Sequence, residues 1–240
     1  MKIIVLQHLD VEHPGIFRSF MQGDGLTWDT VEVDAGEAIP DLEPYDLMMV
    51  MGGPQDVWQE DTYPWLVAEK AAIRRFVVDL GRPYLGICLG HQLLACAVGG
   101  EVGPGGSPEV GVLEVTKTEA GKTDELLAGA GDTERVLQWH GAEVKSLPRE
   151  AIVLVSSPAC AIQAFRFGRH AWGLQYHVEA TGTTVDDWAA IPEYAKALEK
   201  ALGVGAVDGL RDEVTRQIPS FNAHARTIYD NLKRVMVSAN

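Results

Sequence analysis

Positive charge is scarce in this sequence: 20 lysines and arginines stand against 34 aspartates and glutamates, leaving a net charge of -14. Nucleic-acid binding needs a clustered basic face and anionic lipid attracts basic segments, so neither nucleic acid nor membrane is an expected partner. Cysteine is scarce too. Cys88, Cys96 and Cys160 are an odd set at unrelated spacings, which gives neither a disulfide framework nor a zinc pattern. Metal-ligand clusters and Gly-rich phosphate loops of the Walker or dinucleotide type are missing, so no cofactor and no metal are expected. Apolar runs are short. Met1 to Leu6 resembles the core of a signal peptide, but it is too short and His8, Asp10 and Glu12 interrupt it. No stretch approaches membrane-spanning length. Repeats and low-complexity tracts are also lacking. These absences leave a soluble, reduced, cytoplasmic protein that handles small molecules.

What is present is a chain of 240 residues, 46% hydrophobic, enough for a sizeable core. Lys2 to Leu9 reads as a buried strand, Ile16 to Met21 as a helix, and Thr27 to Val33 and Tyr45 to Met51 as two more strands. Pro64 to Leu80 has the apolar spacing of one amphipathic helix. Strands alternating with helices mean parallel βαβ units, with a sheet covered on both faces. After Gly100 the pattern changes. Residues 103–108 read as a loop, and five short strands follow near 110–118, 135–139, 152–156, 162–167 and 171–176. The turn at 168–170 has hairpin length, so some pairs should be antiparallel. Thr123 to Ala128 fits a short helix capped by Thr123. Residues 184–237 read as two or three helices broken at Gly203 to Gly205.

The most informative segment is Gly86-Ile87-Cys88-Leu89-Gly90. Arg82 to Ile87 reads as a short buried strand and His91 to Val98 as a helix, so Cys88 sits at a strand-to-helix turn with small neighbours. That is the logic of a nucleophile elbow with sulfur in place of a hydroxyl. A helix N-terminus carries partial positive charge and unpaired N–H groups, which favour an anionic sulfur and can bind an oxyanion. The same pattern also fits a buried cysteine in a tight turn.

A cysteine nucleophile needs a base, and the base an orienting group. His177 and Glu179 lie two apart beyond an apolar strand, so in extended geometry they project to the same side and can touch. Gly52-Gly53-Pro54 follows another buried strand, and paired glycines let backbone N–H groups approach a ligand closely.

Together, the Gly52-Gly53-Pro54 turn, the Gly86 to Gln92 elbow, Trp139-His140-Gly141 and Gln175-Tyr176-His177-Val178-Glu179 resemble the class I (triad-type) glutamine amidotransferases. They do so in order and separation, from about Lys2 to Thr181, and look most like stand-alone proteins similar to the amidotransferase domain of GMP synthase. The resemblance implies an α/β, flavodoxin-like three-layer αβα fold, with a mostly parallel sheet and a small antiparallel portion. Residues 1–182 would form the amidotransferase domain and 183–240 a helical C-terminal extension packed on it. It further implies that Cys88 attacks the glutamine side-chain amide, that His177 shuttles protons and that Glu179 orients it. Gly53 and Leu89 would supply oxyanion donors, and Gly52, Gln92, Trp139, Gly141 and Ala142 would contact substrate.

Two positions depart from the family pattern. Many relatives have Asp where this chain has Ala142 and Pro where it has Val178. Val178 preserves the His-x-Glu spacing, whereas Ala142 removes a carboxylate from the pocket rim. His91 should be turned away from Cys88 by the helix, His140 should shape the pocket without acting as base, and Cys96 should be a core residue. A synthetase would also need a domain that activates the acceptor with ATP, and the helical tail is too short for one. The expectation is therefore glutamine hydrolysis with ammonia release, serving a separate synthetase subunit where one exists. The alternatives are hydrolysis of another γ-glutamyl compound and a catalytically idle regulator.

Overall fold

The computed structural model describes residues 1–239. The first half alternates as the apolar pattern requires. Strand β1 (Lys2–Gln7) leads to helix α1 (Ile16–Gly23) and β2 (Thr27–Glu32), then to β3 (Leu47–Val50) and α2 (Trp65–Arg74). Next come β4 (Tyr84–Ile87) and α3 (Leu89–Ala97). The expected single helix to Leu80 is two pieces, because α2 runs into a π-helical turn at Arg75–Asp79. That turn still buries Phe76 and Val77, so the apolar spacing survives the change of pitch.

The second half corrects two expectations. Residues 103–108 are no free loop: they lie inside β5 (Glu101–Lys117), which pairs antiparallel with β6 (Thr133–Ser146). Pro104 pairs with Ala142 and Glu109 with His140, so five steps on β5 face two on β6. The Gly and Pro residues mark that bulge, not a strand end. The short helix, α4 (Glu119–Lys122), ends where it was expected to begin. Its cap is Thr118, whose Oγ1 accepts a hydrogen bond from the Gly121 N–H at 3.1 Å. Three short strands follow: β7 (Ala151–Ser156), β8 (Ala164–Phe167) and β9 (Ala171–Leu174), with β8 and β9 forming the expected hairpin. The C-terminal region is three helices, α5 (Thr184–Ala189), α6 (Pro192–Leu202) and α7 (Val207–Ala239). Pro192, at the start of α6, separates the first two.

All nine strands form one sheet in the order β2-β1-β3-β4-β9-β8-β7-β5-β6. The first five run parallel, and the pairs beyond β9 are antiparallel. One face buries Ile3, Val5, Leu85 and Ile87 against α1 and the apolar stripe of α7, which includes Ile228, Leu232 and Val235. The other buries Ile4, Leu6, Met48 and Val50 against α2 and α3. The result is a mixed α/β fold of three layers. Helices α5 and α6 pack elsewhere, with Val110, Leu137 and Trp139 in the middle of the β5–β6 ladder. No helix among the described residues is long and apolar enough to cross a membrane.

Candidate active site

Strand register decides which residues can meet. Leu6 pairs with Val50, Val50 with Gly86 and Gly86 with Gly173, so these four form one row across β1, β3, β4 and β9. All four strands point the same way. Two residues beyond that row stand His8, Gly52, Cys88 and Gln175, side by side at the C-terminal edge of the sheet, where open α/β folds hold their ligands.

Cys88 is the only non-glycine residue with positive φ among those described (φ 50°, ψ -101°). It sits in the N-cap position of α3, with its N–H donating to the Leu174 carbonyl at 2.8 Å. The bend requires its glycines. A Cβ on Gly86 would come within 2.4 Å of the Gly90 carbonyl oxygen, and one on Gly90 within 2.1 Å of the Val50 carbonyl oxygen. Such a φ/ψ pair costs about 1–3 kcal/mol and persists only where surrounding structure enforces it.

His177 lies just past β9, where the ladder has already ended. Its N–H donates to the Leu137 carbonyl at 2.9 Å, an isolated bridge to β6 that fixes the backbone. Its Nδ1 is 2.6 Å from Glu179 Oε1, so the expected two-apart contact forms after the chain has left the sheet. Burial alone would lower the pKa of His177. The facing Glu179 carboxylate, with a smaller contribution from Cys88, outweighs it and holds the imidazole well above its ordinary 6.5. His177 and Glu179 are thus paired and both buried, and Cys88 acts on the charge of the same imidazole.

A cavity of about 110 Å³ opens onto the sulfur. Gly53, Leu89, Gln92, Trp139, Gly141 and Ala142 all line it, as expected. Leu89 begins α3, so its N–H has no acceptor within the helix. Gly53 lies so close to the Leu89 side chain that an added Cβ would come within 2.8 Å of it. Gly52 does not line the cavity; its carbonyl turns the other way, to His8. The volume is well under the roughly 300 Å³ at which pockets for drug-sized ligands begin. It suits a group the size of an amino-acid side chain.

Several residues at the site escaped the sequence reading. Gln175, fully buried, places its Nε2 3.6 Å from Cys88 Sγ and accepts from Gln92 Nε2 at 3.1 Å. Its spacing of two before His177 was a usable signal. Asp56, Glu193, Tyr194 and Ala197 also line the cavity, the last three from α6. Tyr194 donates its hydroxyl proton to Glu12, a buried carboxyl beside the Gly52 turn, whose pKa is raised chiefly by burial. Trp188 of α5 packs edge-on to His177 with ring centroids 4.5 Å apart, and Trp139 donates from Nε1 to the Tyr194 carbonyl at 3.2 Å. No short-range pattern links α5 and α6 to a cysteine a hundred residues earlier.

The remaining candidates behave as ordinary residues. His91 packs between α3 and the sheet against Phe165 and Gly173, and burial lowers its pKa to about 3. His140 Nδ1 lies 2.9 Å from the Ala142 carbonyl oxygen and shapes the cavity wall. Burial pushes the thiol of Cys160 up to about 12 and raises that of half-buried Cys96. No group of His, Cys, Asp and Glu suited to a metal ion occurs among the described residues.

Comparison with known proteins adds to this geometry. Residues 17–189 match the family model for glutamine amidotransferase class-I. The glutamine amidotransferase-like protein YfeJ of Salmonella typhimurium is 33% identical over 190 residues, 78% of this chain and 79% of that protein. A GMP synthase (glutamine-hydrolyzing) subunit from Methanococcoides burtonii is 32% identical over 76% of this chain and 89% of its own length. Gamma-glutamyl peptidase 3 of Arabidopsis thaliana is 30% identical, with coverage of 68% and 67%. Of longer GMP synthases that also match, the chain spans 40% or less. Among solved structures, a glutamine amidotransferase from Thermotoga maritima superposes with a TM-score of 0.86 at 28% identity, covering 97% of both chains.

Proposed function

The chain belongs to the class I glutamine amidotransferase family, and from that membership we propose that it hydrolyses a γ-glutamyl amide, glutamine first, through a thioester on Cys88. One observation carries the reading: a strained cysteine opens onto a small cavity, and it helps raise the pKa of a buried histidine that is hydrogen-bonded to a glutamate. His177 takes the thiol proton and the sulfur attacks the amide carbon. The carbonyl π pair moves onto oxygen, which the N–H groups of Gly53 and Leu89 stabilise. The tetrahedral intermediate collapses, the C–N bond breaks, and His177 passes its proton to the departing nitrogen. Ammonia leaves when the substrate is glutamine. Water then attacks the thioester, His177 takes its proton and returns it to sulfur, and glutamate is released. Glu179 keeps the imidazole oriented and favours its charged form throughout. Gln92 and the backbone at Trp139, Gly141 and Ala142 hold the α-amino and carboxylate end.

A second reading, cleavage of a larger γ-glutamyl compound, is favoured by the cavity rim. Asp56 and Glu193 line it and no lysine or arginine does, and partial burial raises the pKa of Asp56. Two carboxylates there suit a substrate with more than one cationic group, and one relative is named as a γ-glutamyl peptidase. The relative named as a GMP synthase subunit supports the first reading, in which ammonia passes to a separate synthetase. The two are separated by measuring ammonia and glutamate release from glutamine, with γ-glutamyl peptides and γ-glutamyl amines as competitors. Turnover of free glutamine, raised by an added synthetase, supports ammonia delivery. Negligible glutamine turnover beside rapid γ-glutamyl peptide or amine cleavage supports the second reading. Release from none of them contradicts both.

A further inference from the structure

Directly behind the diglycine turn lies an ion pair that the chemistry above leaves unused. His8 and Glu69 are both fully buried, and His8 Nε2 is 2.9 Å and 3.1 Å from the two Glu69 carboxylate oxygens. On its other side, His8 Nδ1 is 2.8 Å from the Gly52 carbonyl oxygen. The Gly52 carbonyl can only accept, so Nδ1 carries a proton, and an ionised Glu69 accepts a second from Nε2. The facing Glu69 supports that state: despite burial, the pKa of His8 is raised. Trp65 stacks on the ring at 5.3 Å between centroids and fixes its plane.

The carbonyl of Gly52 and the N–H of Gly53 belong to one peptide unit. The described chain has no cis peptide bonds, and in a trans unit these two groups point in opposite directions. Pulling the Gly52 oxygen towards His8 therefore turns the Gly53 N–H away from His8, and Gly53 lines the cavity beside Cys88 and Leu89. The reverse orientation would put a carbonyl oxygen where negative charge develops. A diglycine turn has the backbone freedom to adopt either. We propose that the His8–Glu69 pair is a positioning device that locks the Gly52–Gly53 peptide with its N–H towards the oxyanion. The lock rests on the thioester reading above. It acts through Gly53 and makes no contact with substrate.

The contact geometry supplies the test. His8→Leu/Glu69→Met replaces the pair by apolar side chains, an exchange that buried ion pairs often tolerate without loss of stability. It removes the donor to Gly52. Losing one oxyanion donor costs about 10²–10³-fold in kcat. An unlocked peptide that still samples the productive orientation should lose about 10–10²-fold, with KM within about twofold. His8→Asn/Glu69→Gln keeps a donor near the Nδ1 position and leaves no buried unpaired charge, so it should restore kcat to within a few fold of wild type. Melting temperature and the rate of Cys88 alkylation by iodoacetamide, which builds no oxyanion, confirm that both variants are folded. Wild-type kcat in the Leu/Met variant, or an equal loss in the Asn/Gln variant, overturns the lock alone. A wild-type protein that cleaves no γ-glutamyl compound overturns the proposed function and the lock with it.

Discussion

Backbone strain at one sulfur and charge on one imidazole set the chemistry of the site. Cys88 occupies a φ/ψ region that glycine tolerates best, at an N-cap where glycine also outranks alanine, so both effects favour glycine there. Both variants should abolish turnover. Cys88→Gly should be more stable than Cys88→Ala by about 1 kcal/mol in urea unfolding, reversing the order expected at an ordinary helical position. A less stable glycine variant would mean that the bend is unstrained. The proton on His177 gives a second test. Burial opposes it and the Glu179 carboxylate more than compensates, so the imidazolium persists above pH 6.5. In Glu179→Gln that support is gone and the pKa falls. The alkaline limb of the pH–rate profile should then move to lower pH, with a smaller loss of kcat than in His177→Ala. An unmoved limb would show that Glu179 does not set the charge of His177.

Elements show where sequence reasoning reaches and where it stops. The elbow was legible because a strand, a helix and two glycines around Cys88 are all local signals. The His177–Glu179 contact was legible from a spacing of two, although it forms in a bend beyond the β9 ladder, where a single bridge to Leu137 holds His177. Residues 103–108 misread as a loop because a bulge and a strand end draw on the same Gly and Pro residues. Thr123 misread as a cap because Thr118, one turn earlier, fills that role. Helix α6 was anticipated as a helix, but its periodicity says only that one face is buried. That the covered surface is the cavity wall is a long-range fact. Ala197 tests it: Ala197→Leu keeps helix propensity, fills space in the cavity, and should lower kcat/KM at least about tenfold while the melting temperature holds. Unchanged kinetics would remove α6 from the substrate path.

For the whole molecule, the parallel half of the sheet aligns the ends of β1, β3, β4 and β9, which puts His8, the diglycine turn, Cys88 and Gln175 in one row. The antiparallel half carries Trp139 and Gly141 to the facing wall and anchors His177. The α/β class and the parallel units followed from alternating apolar segments; the order of nine strands did not, because strand pairing depends on contacts between distant segments. Three thiols are present, and only Cys88 lines the cavity. Acid-quenching the protein during turnover and locating any acyl group by mass spectrometry, with fragmentation that separates Cys88 from Cys96, reads out the proposed thioester itself. A γ-glutamyl group on Cys88, absent from Cys88→Ala, is the predicted result. Turnover without an adduct in Glu179→Gln, where the intermediate should last longer, or an adduct on Cys96 or Cys160, would contradict it.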